Sequence, residues 1–165
     1  KLDDIARDES RTARDRRQAR DLKGKFAIAN ARIAYQAFEE VFAGSRFARL
    51  RKKGVRYQRP LWASTSTKDP GYPDLYYVEA LVAPDSVNTM PPETFEAYRV
   101  HGNPRVRIHD ELRAMYSVPR CLAELEIEEQ QISGELEAQG AEKFFDSYNR
   151  VLKAVEKKEK LIDAA

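Results

Sequence analysis

The stretch that most restricts this chain is Arg59-Pro60-Leu61-Trp62-Ala63-Ser64-Thr65-Ser66-Thr67-Lys68-Asp69-Pro70-Gly71-Tyr72. A short apolar run, residues 60–63, gives way to four consecutive hydroxyl residues and a lysine. Asp-Pro-Gly comes next, three residues whose backbone preferences favour a turn. The pattern predicts a strand whose C-terminal end opens into a loop of hydrogen-bond donors carrying one cation. Hydroxyls, backbone N–H groups and an ammonium together suit a phosphate or a sugar hydroxyl. A solvated loop closing a hairpin has the same composition, so the loop alone does not choose between the two.

The rest of the chain narrows the choice. Its 165 residues can bury a core of ordinary domain size. A hydrophobic share of 42% beside a charged share of 34% fits a soluble globular protein with many exposed helix faces. Basic and acidic residues nearly cancel, 29 against 27, leaving a formal charge of +2. That balance argues against wholesale coating of nucleic acid or adsorption to a membrane. Cys121 is the single cysteine, so no internal disulfide can form and a reducing, cytoplasmic setting is expected. No apolar run approaches the ~20 residues of a membrane span, and the start carries no apolar core of a signal peptide. The chain begins at Lys1 without Met, with a charged amphipathic segment already under way. Upstream sequence is therefore expected.

Residues 1–22 interleave Arg11, Arg14, Arg16, Arg17 and Arg20 with Asp8, Asp15 and Asp21. No aromatics accompany them and the acids offset the field, which favours a solvated helical face or linker over a nucleic-acid arm. From Gly24 onward, Ala27, Ile28, Ala31, Ala34, Tyr35, Phe38, Val41 and Phe42 recur at three- and four-residue steps. That spacing predicts an amphipathic helix ending at Gly44, with Asn30 beside the stripe as a surface or packing amide. A second short helix is expected over 47–53, stopped by Gly54. Residues 55–63 read as a strand, with Pro60 disfavouring a fully hydrogen-bonded interior position.

Residues 74–82 are open to strand or helix; a short helix is preferred, with Asp74 as N-cap and Leu75, Val78 and Leu81 or Val82 as its buried stripe. Residues 85–90 form a second brief strand candidate, cut off by Pro91-Pro92. A helix over 93–101, with Glu93 at its positive end, stops at Gly102. Strand and helix thus alternate from Val55 to Gly102, the signature of parallel α/β packing. The remainder is helical. Asp110 is placed to cap a helix through Tyr116, Pro119 to kink or restart it, and Gly134 and Gly140 to punctuate the next segment. Phe144, Phe145, Tyr148, Val151, Leu152 and Val155 form one apolar face of the last helix, whose end is rich in lysine. No tandem repeat is apparent.

Both strand candidates end in polar residues, Ser64 to Lys68 in one case and Asn88-Thr89 in the other. At the C-terminal ends of parallel strands, such residues are where barrel enzymes place their chemistry. Lys68 suits a phosphate anchor better than an amine nucleophile, because neighbouring Asp69 favours its charged form. A plain surface lysine is the alternative. His109 beside Asp110 and Glu111 makes a poor metal or acid–base site, since consecutive helix residues point in different directions. Cys121 reads as core filler, and His101 stands apart. There is no GxGxxG, no GK[ST] loop and no HExxH. On these residues alone, no complete catalytic set and no metal site are visible.

Ordered segments of the chain resemble a known family. They are Leu22-Lys23-Gly24-Lys25-Phe26-Ala27-Ile28-Ala29-Asn30-Ala31-Arg32-Ile33-Ala34-Tyr35-Gln36, then Gln58-Arg59-Pro60-Leu61-Trp62-Ala63-Ser64-Thr65, Leu75-Tyr76-Tyr77-Val78, and Pro84-Asp85-Ser86-Val87-Asn88-Thr89-Met90-Pro91. Together they look like transaldolase, the bacterial type found alone or fused to a phosphoglucose isomerase domain. The resemblance covers residues 1–102 well and the helical tail more loosely. It implies an α/β fold, the C-terminal part of a (β/α)8 TIM barrel. Residues 1–22 would be a charged helical lead-in, 23–102 barrel βα units containing strands seven and eight, and 103–165 C-terminal helices.

The family moves a dihydroxyacetone unit between phosphorylated sugars in the pentose phosphate pathway. It works through a lysine Schiff base and needs no cofactor or metal. By this resemblance Ser64 and Lys68 bind substrate phosphate, and the Schiff-base lysine lies upstream of Lys1. Lys23 and Lys25 belong to a helix start instead. Ser66 stands where the family usually has Gly, and Asp69 where it has Asn. The implied partners are phosphorylated sugars and the missing N-terminal barrel portion, with no nucleic acid or membrane; the resemblance assigns no oligomeric state. The alternative is a truncated, non-catalytic paralogue acting as a helical binding module.

Overall fold

The computed structural model describes residues 1–163, with side-chain surroundings through Lys160. These fall into two compact units, one from Lys1 to Cys121 and one beginning at Leu122.

The first unit opens with α1 (Leu2–Arg7) and α2 (Ala13–Leu22). Thr12 starts α2, its hydroxyl accepting from the Asp15 N–H at 3.1 Å, so one of the helix's otherwise unpaired donors is satisfied. Lys23 then reaches back to Asp3 at 2.6 Å. Gly24, at φ 73°, supplies the left-handed turn into α3 (Lys25–Ala43). A β-carbon there would also crowd the Tyr72 ring at 3.0 Å, a second reason that favours glycine.

Helix α3 forms as its spacing predicts, but its buried stripe is rotated. Ile28, Ala29, Arg32 and Tyr35 are the buried residues. Ala27, Ala34 and Val41, expected in the stripe, are exposed. An arginine therefore occupies a core position that periodicity alone assigns to an apolar side chain. Asn30 is an exposed surface amide, as expected.

After α4 (Ser45–Arg51) the chain turns at Gly54, φ 86°, and runs extended toward β1. The strand predicted over residues 55–63 is only Leu61–Trp62. Residues 55–60 lack a ladder partner, and proline 60 has no N–H to give one. Its carbonyl accepts from the Val87 N–H at 2.9 Å, which begins the pairing with β2 (Val87–Asn88). The pairing is parallel, Leu61 opposite Val87 and Trp62 opposite Asn88. Strand–helix alternation from Val55 to Gly102 thus gives the parallel arrangement expected.

Between the strands lies α5 (Tyr76–Ala80), and after β2 comes α6 (Pro92–His101). Leu75, Val78 and Leu81 are all buried, matching the predicted stripe. Asp74 does not cap α5: Leu75 holds that position without a side-chain hydrogen bond, and the Asp74 carboxylate faces His101 at 3.2 Å instead. Gly102 follows α6 as its C-cap, and a β-carbon there would lie 2.4 Å from the Tyr98 carbonyl oxygen, so this close approach calls for glycine.

An aromatic chain joins α3 to its neighbours. Tyr35 packs 6.4 Å from Trp62 and 5.6 Å from Phe38. Phe38 and Phe42 flank Tyr57 at 6.0 and 6.1 Å, and Phe42 meets Phe47 edge-on at 4.7 Å. Each such pair contributes about 0.5–1.5 kcal/mol beyond the area it buries. This chain fixes the strand pair and α4 against one helix.

Helix α7 (Leu112–Ala123) runs through Pro119 without restarting, so the proline gives up a backbone hydrogen bond and the helix continues. Asp110 does not cap it; its carboxylate pairs with Arg105 at 2.7 Å. In the second unit Leu122, Leu125 and Ile127 are buried around a tight turn closed by Ile127 N–H to Leu122 O at 3.0 Å. Then α8 extends from Glu129 to Asp163 as one helix. Gly134 and Gly140 do not interrupt it, although each costs about 1 kcal/mol relative to alanine. Its predicted apolar face exists and is exposed, Phe144 at 82% and Tyr148 at 62%.

Candidate functional site

The parallel pair has two ends, and the hydroxyl loop stands at its C-terminal one. Thr89 donates twice to the Trp62 carbonyl, from its N–H at 2.9 Å and its hydroxyl at 3.1 Å. The Thr65 hydroxyl reaches Asn88 Oδ1 at 2.7 Å, and the Thr65 N–H bonds the Thr89 carbonyl at 3.4 Å. Thr65 is 5% exposed, so these bonds replace its water. The two loops beyond the strands are thereby sewn together by hydroxyl and amide groups. Charge plays no part in the seam.

Ser64 leaves the strand with φ 56°, a left-handed conformation that serine adopts only under constraint. The seam at Thr65 provides that constraint. The structure places the positive φ at Ser64 and none at Ser66. Serine at position 66 therefore meets no backbone strain. Thr67 closes the loop by donating to the Asp74 carbonyl at 3.0 Å. Asp69 commits one carboxylate oxygen to the Gly71 N–H at 2.8 Å, the Asp-Pro-Gly turn expected from sequence.

A cleft of about 270 Å3 opens beside this loop. Ser64, Thr65 and Ser66 form its polar side, and Ala27, Ala31, Leu61, Trp62, Tyr77 and Leu81 are among its apolar walls. Ala27 and Ala31, which belong to the predicted α3 stripe, find their role here as cleft lining. Lys68 is exposed and does not line the cleft. The two sequence-derived site residues thus share a loop, but only Ser64 borders this space. Burial raises the Tyr77 hydroxyl above its ordinary pKa, keeping it a neutral donor at the wall.

Behind the site stands Arg32, which sequence reasoning overlooked. It is 6% exposed and its guanidinium donates to three carbonyls: Asp110 at 2.7 Å, Arg107 at 3.0 Å and Ala80 at 3.3 Å. Its Nε finds no partner. Burial lowers its pKa, with Asp110 and Glu111 opposing the shift. The signal was present in the spacing: Arg32 lies four residues after Ile28 and three before Tyr35, both core residues. One buried cation thus gathers the end of α5 and the 107–110 loop onto α3. Arg107 adds an ion pair with Glu79 at 3.0 Å, and Glu79 also accepts the Asn103 N–H.

Neither histidine is built into a catalytic set. His109 lies 3.3 Å from Glu39 and edge-on to Tyr35, and His101 faces Asp74. Cys121 is partly buried and lines a separate cleft of about 590 Å3 between α2 and α7, away from the hydroxyl loop. Among the described residues there is no group of three or more His, Cys, Asp or Glu side chains placed to hold a metal ion. No helix there is long and apolar enough to cross a membrane.

Comparison with known proteins adds a lineage to this geometry. The family model for transaldolase/fructose-6-phosphate aldolase matches residues 2–155. A transaldolase of Frankia alni is 45% identical over 139 residues, covering 82% of this chain and 37% of that protein. One of Renibacterium salmoninarum is 46% identical over 143 residues, covering 84% of this chain and 37% of the relative. Transaldolase 2 of Nostoc punctiforme is 39% identical over 143 residues, covering 86% and 38% respectively. The chain spans a little over a third of the length of these relatives. With its family match running through the parallel strand pair and the hydroxyl loop, the chain belongs to the transaldolase/fructose-6-phosphate aldolase family.

Proposed function

We propose that the protein carrying this chain is a transaldolase of the pentose phosphate pathway, acting in the cytoplasm. It transfers a dihydroxyacetone unit from sedoheptulose 7-phosphate to glyceraldehyde 3-phosphate, leaving erythrose 4-phosphate and fructose 6-phosphate. The carbon count balances, and the carrier is a lysine that forms a Schiff base with the ketose. That lysine comes from outside residues 1–165. In this reading the chain is the C-terminal part of a (β/α)8 barrel. Residues 1–22 lead in, 23–102 supply the last two βα units and 103–165 supply the closing helices.

The observation that carries this reading is the sewn C-terminal end of the strand pair, in a chain of this family. Ser64 borders the cleft there, and Lys68 stands in the same loop; we assign both to the substrate phosphate. A flexible ammonium provides a point charge, while the hydroxyl and loop amides give direction. Leu61, 55% exposed, lies on the face opposite buried Trp62. Such a residue suits the packed interior of a closed barrel, which needs eight strands. The six further strands are the partner this proposal requires.

The test uses the intact protein. Borohydride treatment with fructose 6-phosphate is expected to trap a sugar adduct on a lysine outside residues 1–165. An adduct on a lysine within them overturns the assignment of the nucleophile, and no adduct with no sugar transfer overturns the transaldolase reading. Lys68→Gln is expected to raise KM for phosphorylated substrates about tenfold, the loss of one charge-assisted contact. Its effect on kcat is expected to be smaller.

One observation favours a second reading, the non-catalytic binding module. The face of α8 bearing Phe144, Tyr148, Val151 and Val155 is exposed in the second unit. Adduct formation decides between the two, since a binding module carries no Schiff-base lysine.

A further inference from the structure

The opposite end of the strand pair has a different chemistry. From Val41 to Lys68 the sequence has no acidic residue, yet it holds Arg46, Arg49, Arg51, Lys52, Lys53, Arg56, Arg59 and Lys68. In a chain whose charges nearly cancel, this is a strong local excess. Part of it converges on one cleft of about 550 Å3, lined by Arg51, Arg56, Arg59, Tyr57 and Asp85, with Gly54 and Val55. Arg59 precedes β1 and Asp85 precedes β2, so this cleft lies at the N-terminal ends of the strands. About 16 Å of extended chain separates Arg59 from Ser64, at 3.3 Å per residue.

The three guanidiniums are exposed and uncommitted. Among the described residues, none of Arg51, Arg56 and Arg59 forms an ion pair or a side-chain hydrogen bond. Among the described residues the one carboxylate lining the cleft, Asp85, accepts from the Tyr57 hydroxyl at 2.6 Å. Three guanidiniums thus face a single carboxylate, and a further anion relieves the repulsion that remains. Arginine's planar fork suits phosphate oxygens in particular. Arg32 differs, because its nitrogens are largely taken up by carbonyls.

We propose that this arginine cleft binds a small organic molecule carrying two or more phosphate groups, at a site distinct from the Ser64–Lys68 loop. Three guanidiniums, with five N–H donors each, offer more donors than the oxygens of one phosphate use. The volume is that of a small-molecule pocket. Single-stranded nucleic acid is disfavoured because binding it calls for free aromatic faces on which bases stack. Tyr57, the only aromatic lining the cleft, packs against Phe38 and Phe42.

Calorimetric titration of the intact protein with inorganic pyrophosphate tests the proposal at physiological salt. Saturable binding is expected, at least about tenfold tighter than for inorganic phosphate. Arg51→Gln with Arg56→Gln is expected to weaken it by at least about tenfold, and Lys68→Gln to leave it within about twofold. Arg56→Lys keeps the charge but loses the fork, and it serves as the second variant if the double one fails to fold. It is expected to weaken binding measurably. The proposal is overturned by absent or non-saturating binding, by equal affinity for phosphate and pyrophosphate, by arginine variants that bind normally, or by loss in Lys68→Gln matching theirs. A single-stranded oligonucleotide that competes better per phosphate also overturns it.

Discussion

The two ends of one short strand pair solve the problem of polar groups in opposite ways. At the C-terminal end, Thr65, Thr89 and Asn88 satisfy one another, and Thr65 is buried. At the N-terminal end, Arg51, Arg56 and Arg59 are exposed and pair with nothing in the described structure. At the first end the donors are used internally. The second is open because its donors are held in reserve. A seam of hydroxyls positions a loop where charge would cost desolvation, whereas arginines at an open rim keep their water until a ligand arrives.

Three measurements put this contrast at risk. The largest effect is expected from Arg32, the arginine whose donors are engaged rather than held free. Arg32→Met leaves the carbonyls of Ala80, Arg107 and Asp110 without their donor, at a cost on the order of 3 kcal/mol of stability. Chemical denaturation of the intact protein reads this, beside Arg56→Gln, which is expected to stay within about 0.5 kcal/mol. Equal losses would erase the distinction between the two kinds of arginine.

A smaller effect is expected at the hydroxyl seam. Thr65→Val keeps the shape but removes the donor to Asn88, costing about 1–2 kcal/mol. It should also release the left-handed Ser64, visible as faster amide exchange in residues 64–67. An unchanged melting temperature and exchange pattern would show that the seam does not constrain the loop.

The smallest effect concerns Tyr57 at the rim. Its hydrogen bond to Asp85 raises the phenol above its ordinary pKa. A raised value in the folded state means a contribution that is present below the unfolded pKa and is lost as pH rises through the folded one. Because Tyr57 is exposed to solvent screening, the expected readout is the titration itself. In Asp85→Asn, ultraviolet titration should show the Tyr57 midpoint moving down. A midpoint that stays put would remove Asp85 from the account of this cleft.

Much of the fold arises from local chemistry that the sequence displays. The boundaries at Gly24, Gly44, Gly54 and Gly102, the parallel strand–helix alternation, and the stripe of Leu75, Val78 and Leu81 are all readable from spacing and turn residues. Other features are not. The strand over 55–63 shrinks to Leu61–Trp62 because pairing is settled by the partner strand, which is itself two residues long. Pro119, Gly134 and Gly140 look like breaks in sequence, yet α7 and α8 continue through them. Helix continuity is cooperative, so one missing hydrogen bond or one glycine is outweighed by the turns on either side. The predicted apolar face of α8 is present but exposed, since periodicity names a face without naming what covers it.

The candidate site divides in the same way. Ser64 and Lys68 stand out in sequence because hydroxyls and a lysine come directly after an apolar run. That only Ser64 borders the cleft depends on the loop's path, and so does the left-handed turn at Ser64 rather than at Ser66. Asp69 stands beside Lys68 in sequence, but that the Gly71 amide takes up one of its oxygens depends on the path of the loop.

Residue type and spacing along the chain were enough to set the periodicities, the glycine and proline punctuation, the acid-free run from Val41 to Lys68, and membership of a family. They could not set which arginines are buried. Folding made Arg32 a clasp in the core and left Arg51, Arg56 and Arg59 open. All four are the same residue with the same charge. What separates them is the set of carbonyls within reach, brought together from residues 80, 107 and 110, and that set exists only once the chain has folded.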